Sequence, residues 1–304
     1  DKTTFSGDAA AKKNAIKAWA YFWKGIAYSR IGSIYYAGLI VNTASVTNNN
    51  YVSKEKIIEE ANANFDKAAA AATASGSNAD FQAVLGTLIP DFFQNDLGGV
   101  PSGAQWVKNI NTLKARNILV NTPTATMTAT QWGQILTLAN AGVGDSDPVF
   151  AGTTNANGDI FSPSNYNVAA RAVGSNAAGG TFKISERLIQ DFNAGDQRLA
   201  NNFKQYPVWI GNADRGNAFN TRWAIVDKGA GKPGVIVYSN RSAGAGVLYL
   251  AGSYEENELM KAEAKLWTGD VAGAAASINK VRAYQGAGID PITSTDAATV
   301  KEEL

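Results

Sequence analysis

Tyr21, Gly25, Tyr28 and Gly32 recur at intervals of four, three and four residues, and this run constrains the fold more than any other feature of the chain. The spacing puts all four on one face of a helix, predicted over residues 13–30. A face that alternates large and small residues admits a second helix at close range. Each small residue removes a side chain from the approach, and the large ones fill the gaps on either side. Trp19, Phe22, Trp23 and Ile26 widen the apolar face, so the helix is buried on two sides. Trp19 and Trp23, one turn apart, read as core. A chain built on such a helix packs its helices in pairs.

Further helices follow from the same reasoning. Residues 54–72 form the second, with Ser53 as its cap and Ile57, Ala61, Phe65 and Ala68 as its core stripe. Its alanine run, 68–72, favours helix and suits a tight helix–helix contact. Residues 81–93 read as a helix interrupted at Pro90, and residues 110–121 as another, with Leu113, Ala115, Ile118 and Leu119 inside. Thr130 starts a helix carrying Trp132, Ile135, Leu136 and Ala139, which Gly142 stops. Residues 254–267 and 272–282 form a helical hairpin turned by Thr268-Gly269-Asp270. Ala262 takes the small position of the first helix and Ala274 that of the second, with Ile278 and Val281 following. Paired helices of this kind fit the tetratricopeptide pattern, interrupted twice: by an enlarged connection over residues 33–53 and by residues 142–252.

The second interruption has a different texture. Gly, Asn, Ser and Asp punctuate it every few residues. One helix is predicted over 182–192, and short strand-like runs over 235–238 and 246–250. So long an irregular stretch inside a compact chain is where function concentrates.

Composition removes whole classes of chemistry. The chain has 304 residues, 27 Lys and Arg against 26 Asp and Glu, and neither Cys nor His. A net charge of +1 lacks the positive excess that nucleic acid or an anionic membrane demands, so no nucleic-acid partner is expected. Without Cys there is no disulfide or thiol nucleophile; without His there is no Ser-His-Asp triad and none of the usual zinc ligands. No apolar run reaches the ~18 residues of a membrane span. Carboxylates remain. Glycoside hydrolysis needs two acids ~5–9.5 Å apart across a cleft. Yet Glu255, Glu256 and Glu258 sit at a helix start where the dipole favours them, Glu59 and Glu60 on a solvated face, and Asp145 and Asp147 in a turn. Asn155, Asn157 and Asp159 around Gly158 lack the leading Asp and distant Glu of a calcium loop. No catalytic residue, metal or cofactor is therefore expected.

The stretch Tyr254 to Gly288, YEENELMKAEAKLWTGDVAGAAASINKVRAYQGAG, resembles the signature hairpin of the SusD/RagB family. The residues that carry the likeness are Leu259, Ala262, Glu263, Ala264, Gly269, Asp270, Ala274, Ile278, Asn279, Val281 and Arg282. Upstream, Asp191 and Gly195-Asp196-Gln197-Arg198 resemble the family's D-P-R segment, with Gln197 in place of proline. The resemblance implies a mainly α fold, in which tetratricopeptide-like helical hairpins support a loop-rich irregular region with a few short strands. It implies one domain: a helical part over 1–141, an irregular ligand-facing region over 142–252, and a helical hairpin with a truncated end over 253–304. It also implies a lipoprotein on the extracellular face of the outer membrane. Its ligand is an oligosaccharide or other nutrient, and its partner is a SusC-like TonB-dependent transporter. Family members are longer and carry a lipidated Cys, so the chain reads as a fragment at both ends, its lipid anchor missing.

Sugars are gripped by flat aromatic faces, with amide and guanidinium groups on their hydroxyls. The segment from Tyr206 to Trp223, YPVWIGNADRGNAFNTRW, supplies both. It nominates Tyr206, Trp209, Asn212, Asp214, Arg215, Asn217 and Trp223 as ligand-binding residues. Tyr36 and Asn42, at the mouth of the first enlarged connection, join them. The competing reading of each indole is a core or loop-anchoring role. Trp267 reads as structural, lying against the hairpin turn. Three functions then compete: non-catalytic nutrient binding, a tetratricopeptide-type protein-interaction scaffold and a carbohydrate-active enzyme. The aromatic irregular segment favours the first.

Overall fold

The computed structural model describes residues 4–46, 48–89, 100–153, 184–210, 221–226, 247–249 and 251–304. Helix α1, Ala9–Ile34, runs past both predicted ends. Asp8 caps it by accepting from the backbone of Ala10 and Ala11, each at 3.0 Å, which satisfies donors a helix start leaves open. Helix α2, Lys54–Ser75, packs antiparallel on α1 across the predicted small residues. A Cβ on Gly25 would sit 2.6 Å from the Phe65 ring, and one on Gly32 would sit 2.8 Å from Ile58. Both contacts are closer than any side chain tolerates, so glycine sets the distance between the two helices. Ile57, Ala61, Phe65 and Ala68 are fully buried, as their spacing predicts.

Ser53 departs from its expected role. It stands at the N-cap of α2, but its side chain makes no capping bond. Its hydroxyl lies beside Glu55 instead and holds that carboxyl below its ordinary value.

Helix α3, Ala79–Leu88, packs on α1 and ends before Pro90, with Ile89 extended as a residue preceding proline must be. Helix α4, Gly103–Asn121, begins earlier than the periodicity predicts, because Ser102 and Gln105 form a capping box. The early start buries Trp106 completely. It also brings Gly103 against Gly76 at the end of α2, where a Cβ would meet backbone at 2.3–2.7 Å. Helix α5, Ala129–Asn140, is capped the same way by Thr128 and Gln131.

Two short helices stand in the irregular region. The helix predicted over 182–192 is five residues long, α6, Glu186–Gln190, closed when the Asp191 N–H turns back to Arg187 and Ile189. Helix α7, Gln197–Asn202, follows. The final hairpin is α8, Tyr254–Trp267, and α9, Val271–Tyr284. A last short helix, α10, is Ala297–Glu302. Among the described residues no helix is long and apolar enough to cross a membrane.

Three antiparallel strand pairs complete the described structure. Strands β1, Ala37–Leu39, and β2, Tyr51–Ser53, close the α1–α2 connection. Strands β3, Ala151–Thr153, and β6, Val247–Tyr249, join the two ends of the irregular region. Strands β4, Phe203–Ile210, and β5, Thr221–Ile225, form a hairpin between them. The run predicted over 235–238 lies outside the described residues.

The helices form one continuous row. α1 packs on α2, α2 on α4, α4 on α5, α5 on α8 and α8 on α9. α5 and α8 are neighbours although more than a hundred residues separate them in sequence, so the irregular region leaves the row and returns without breaking it. Its start is pinned by Phe150, whose ring lies 4.7 Å from Phe22 and 4.6 Å from Trp106 in the main core. Asn257, fully buried, locks the return. Its amide donates to the Ala139 and Val143 carbonyls at 2.8 and 3.0 Å and accepts from the Thr112 hydroxyl at 2.9 Å. The fold is mainly α, with tetratricopeptide-like pairs supporting a loop-rich region.

Candidate ligand-binding site

The β4–β5 hairpin is fastened from its inner face to α6 and the turn that follows it. Phe203 meets Phe192 edge to face at 5.7 Å. The Glu186 carboxylate accepts from the Thr221 hydroxyl at 2.7 Å and the Arg222 backbone at 2.9 Å. Just before the hairpin, the Asp196 carboxylate is buried and takes the Arg198 guanidinium at 2.6 Å. Arg198 also reaches Gln285 at 3.1 Å, and the Gln197 N–H donates to the Ala287 carbonyl at 2.8 Å. Burial pushes the Asp196 carboxyl up, but the hydrogen bonds and charge of Arg198, with Arg282 nearby, outweigh it and hold the group below its ordinary range. The segment Gly195 to Arg198 is thus the clamp between the end of α9 and the hairpin.

The register decides what the outer face carries. Gln205 pairs with Trp223, and Ile210 with Thr221. Four residues of β4 therefore face one residue of β5, Arg222, and the extra length bulges outward. Tyr206 and Trp209 lie on that bulge. Side chains alternate along β5, so Arg222 shares its face with Ala224, opposite Lys204, while Trp223 shares the other face with Gln205. Tyr206 packs on the buried Ala224. The Lys204 ammonium lies 5.7 Å from the Tyr206 ring, and the Arg222 guanidinium lies 5.7 Å from the Trp209 ring. Trp209 is 58% exposed.

Of the nominated residues, Tyr206 and Trp209 come together on this outer face. Trp223 is half-buried and belongs to the opposite one. Asn212, Asp214, Arg215 and Asn217 lie outside the described residues, as do Asn155, Asn157 and Asp159. Tyr36 and Asn42 stand on the α1–α2 connection, and among the described residues no bond or ring contact joins them to the hairpin. Tyr36 is 90% exposed. The Asn42 amide oxygen accepts from the Lys24 ammonium, and the Tyr28 hydroxyl bonds both backbone groups of Val41 at 2.9–3.0 Å. These contacts fix the connection to α1.

Lys204 and Arg222 escaped the sequence reading. Their signal is alternation with aromatics along a strand, which the bulge breaks. Trp267 is structural as expected: it stacks on Trp132 at 5.9 Å with an interplanar angle of 10°, and the Lys301 ammonium lies 5.2 Å from its ring centroid. Glu258 is buried and bonded by Lys261 at 2.8 Å and Ser277 at 3.0 Å, so it serves the joint between α8 and α9. Among the described residues no group of three or more acidic side chains is placed to hold a metal ion.

No family model and no curated protein matches the chain. Solved structures do. A SusD-like protein from Bacteroides fragilis superposes with a TM-score of 0.60 at 14% identity, over 98% of this chain and 67% of that one. The chain has the SusD-like fold. A second B. fragilis protein, of the SusD superfamily, gives 0.60 at 15% identity, over 99% of this chain and 67% of its own. A SusD-like carbohydrate-binding protein from Bacteroides vulgatus gives 0.57 at 14% identity, over 98% and 61%. The chain therefore spans 61–67% of the length of these proteins.

Proposed function

We propose that this SusD-like chain binds oligosaccharides without turning them over, at the outer face of the β4–β5 hairpin. The observation that carries the reading is Trp209: an indole 58% exposed on the bulge of a hairpin whose inner face is tied to α6. A large aromatic held rigidly in water loses little conformational entropy when a sugar ring stacks on it. Tyr206 extends the surface, and Tyr36 on the α1–α2 connection supplies a second, separate contact. The SusD-like neighbour from B. vulgatus is itself described as carbohydrate binding. The same reading makes the protein a lipid-anchored component of the outer membrane's extracellular face that delivers its ligand to a SusC-like TonB-dependent transporter. Intrinsic tryptophan fluorescence titrated with a panel of oligosaccharides tests it. Saturable quenching that Trp209→Ala removes, with the sugar recovered intact, supports the reading; absence of any sugar-dependent signal, or consumption of the sugar, contradicts it.

One observation favours a second reading, a helical scaffold for another protein. Ile34 at the end of α1 and Tyr35, Tyr36 and Tyr51 in the α1–α2 connection are 60–90% exposed. A cleft of about 210 Å³ between α2, α4 and α5, floored by Ile58 and Ile118, also stands open. Exposed apolar groups gathered in this way mark contact surfaces. Loss of transporter capture by Tyr35→Ala/Tyr36→Ala, with sugar binding intact, would assign the connection to the protein partner.

A further inference from the structure

The outer face of the hairpin carries two cations as well as two aromatics, and their arrangement narrows the ligand. Lys204, Tyr206, Trp209 and Arg222 share that face. Among the described residues neither Lys204 nor Arg222 forms an ion pair. Glu186 bonds the Arg222 backbone and the Thr221 hydroxyl, so it holds the hairpin, and among the described residues it makes no bond to the guanidinium. The Arg222 guanidinium, 5.7 Å from the Trp209 ring, is a planar fork of N–H donors beside the indole. That fork matches a carboxylate or sulfate in a two-point hydrogen bond. The contact with the ring restricts Arg222 beforehand, which lowers the entropy lost on binding. Lys204 places a second positive charge on the neighbouring ring.

We propose that the hairpin takes an acidic oligosaccharide, with a sugar ring on the exposed part of the Trp209 indole and that ring's carboxylate, or a neighbouring residue's, on Arg222 and Lys204. This rests on the reading of the hairpin as the sugar site and adds the class of sugar. A single guanidinium also serves a neutral sugar's hydroxyls, but two cations on one face, with no ion pair to either among the described residues, match a charged partner better, since each gains more from a carboxylate than from a hydroxyl.

The experiment compares hexagalacturonate with its carboxyl-reduced neutral counterpart by calorimetry, using the unaltered protein. The uronate binds at least ~10-fold more tightly, the scale of a charge-assisted hydrogen bond, and its affinity falls with added salt. Arg222→Gln together with Lys204→Gln brings the two ligands level, while Trp209→Ala weakens both. Equal affinity of the unaltered protein for the two, with Trp209→Ala still weakening both, overturns the acidic-sugar inference and leaves the sugar site standing. Binding of either ligand that Trp209→Ala leaves unchanged overturns the sugar site itself, and binding of neither overturns the acidic-sugar inference. A poly-glutamate of equal charge that binds as tightly as hexagalacturonate also overturns the inference, since the face would then read charge without sugar.

Discussion

The helical row and the β4–β5 hairpin spend their polar groups in opposite ways. In the row, polar side chains are used up internally. Asn257 fills both ends of its amide with partners from α4, α5 and the turn after it, and Asn279 pairs twice with the Ile292 backbone at 2.8–3.0 Å. Glu258 is enclosed by Ser277, Lys261 and Lys280. In the hairpin, the inner face is satisfied by Glu186 and Phe192, while the outer face leaves an indole in water and two cations on rings. Satisfied groups hold a structure together; groups left over on a rigid support are available to something else. The α1–α2 connection sharpens the point. Among the described residues it exposes three tyrosines, Tyr35, Tyr36 and Tyr51, yet no charged residue occurs between Ile31 and Ser53. Exposure alone therefore does not separate a sugar site from a protein contact. The groups beside the ring do.

This contrast predicts that the row governs stability and the hairpin governs binding, and substitutions can break it. The largest expected effect is at Asn257. Replacing it with alanine strands two buried carbonyls and the Thr112 hydroxyl, at a cost of about 2–5 kcal/mol by the usual penalty for unsatisfied buried groups. Urea unfolding measures this, and a loss below about 1 kcal/mol would show that the joint is not a keystone. Gly25→Ala comes next. Its Cβ would enter the Phe65 ring, and overpacking of this kind costs about 1–3 kcal/mol.

Acid should act on the row and its clamp together. Asp196 and Glu258 are both held below their ordinary values. For Asp196, burial acts upward and Arg198 downward, with Arg282 adding to the fall. For Glu258, burial again acts upward, against Lys261, Ser277 and Lys280. A carboxyl with a depressed folded-state pKa stabilises the fold above its unfolded value, near 4, and loses that contribution as pH falls through the folded one. Stability measured from pH 7 downward should hold to about pH 4 and decline below it, and Asp196→Asn should flatten the decline. The smallest effect is expected at Trp209, where alanine should change stability by no more than about 0.5 kcal/mol. If it costs as much as Asn257→Ala, the indole is a structural anchor and the contrast collapses.

The helical row was legible in the sequence because its information is local. Period, small residues and turn glycines predict α1, α2, α4, α5, α8 and α9, and the Gly25 and Gly32 contacts follow from spacing alone. The misplacements have local causes too. A capping box lengthened α4, and Ser53 turned to Glu55 instead of the helix end. The short α6 marks where periodicity ran on past the residues that close the helix. The hairpin was legible only as a composition, aromatic and amide-rich. Which rings share a face depends on a register, and the register turns on a bulge that no period announces. Hence Trp209 and Tyr206 were found with Trp223, which faces the other way, and without Lys204 and Arg222.

The central claim is that Trp209 is the indole a sugar meets. The chain has seven tryptophans, so a protein labelled with nitrogen-15 at its indoles gives a resolvable set of N–H signals, each assignable by Trp→Phe substitution. On titration with hexagalacturonate the account predicts the largest shift at the Trp209 signal, a lesser one at Trp223 across the hairpin, and none at Trp106 or Trp132 in the row. A largest shift at Trp267 or Trp19, with the Trp209 signal unmoved at saturation, would contradict it.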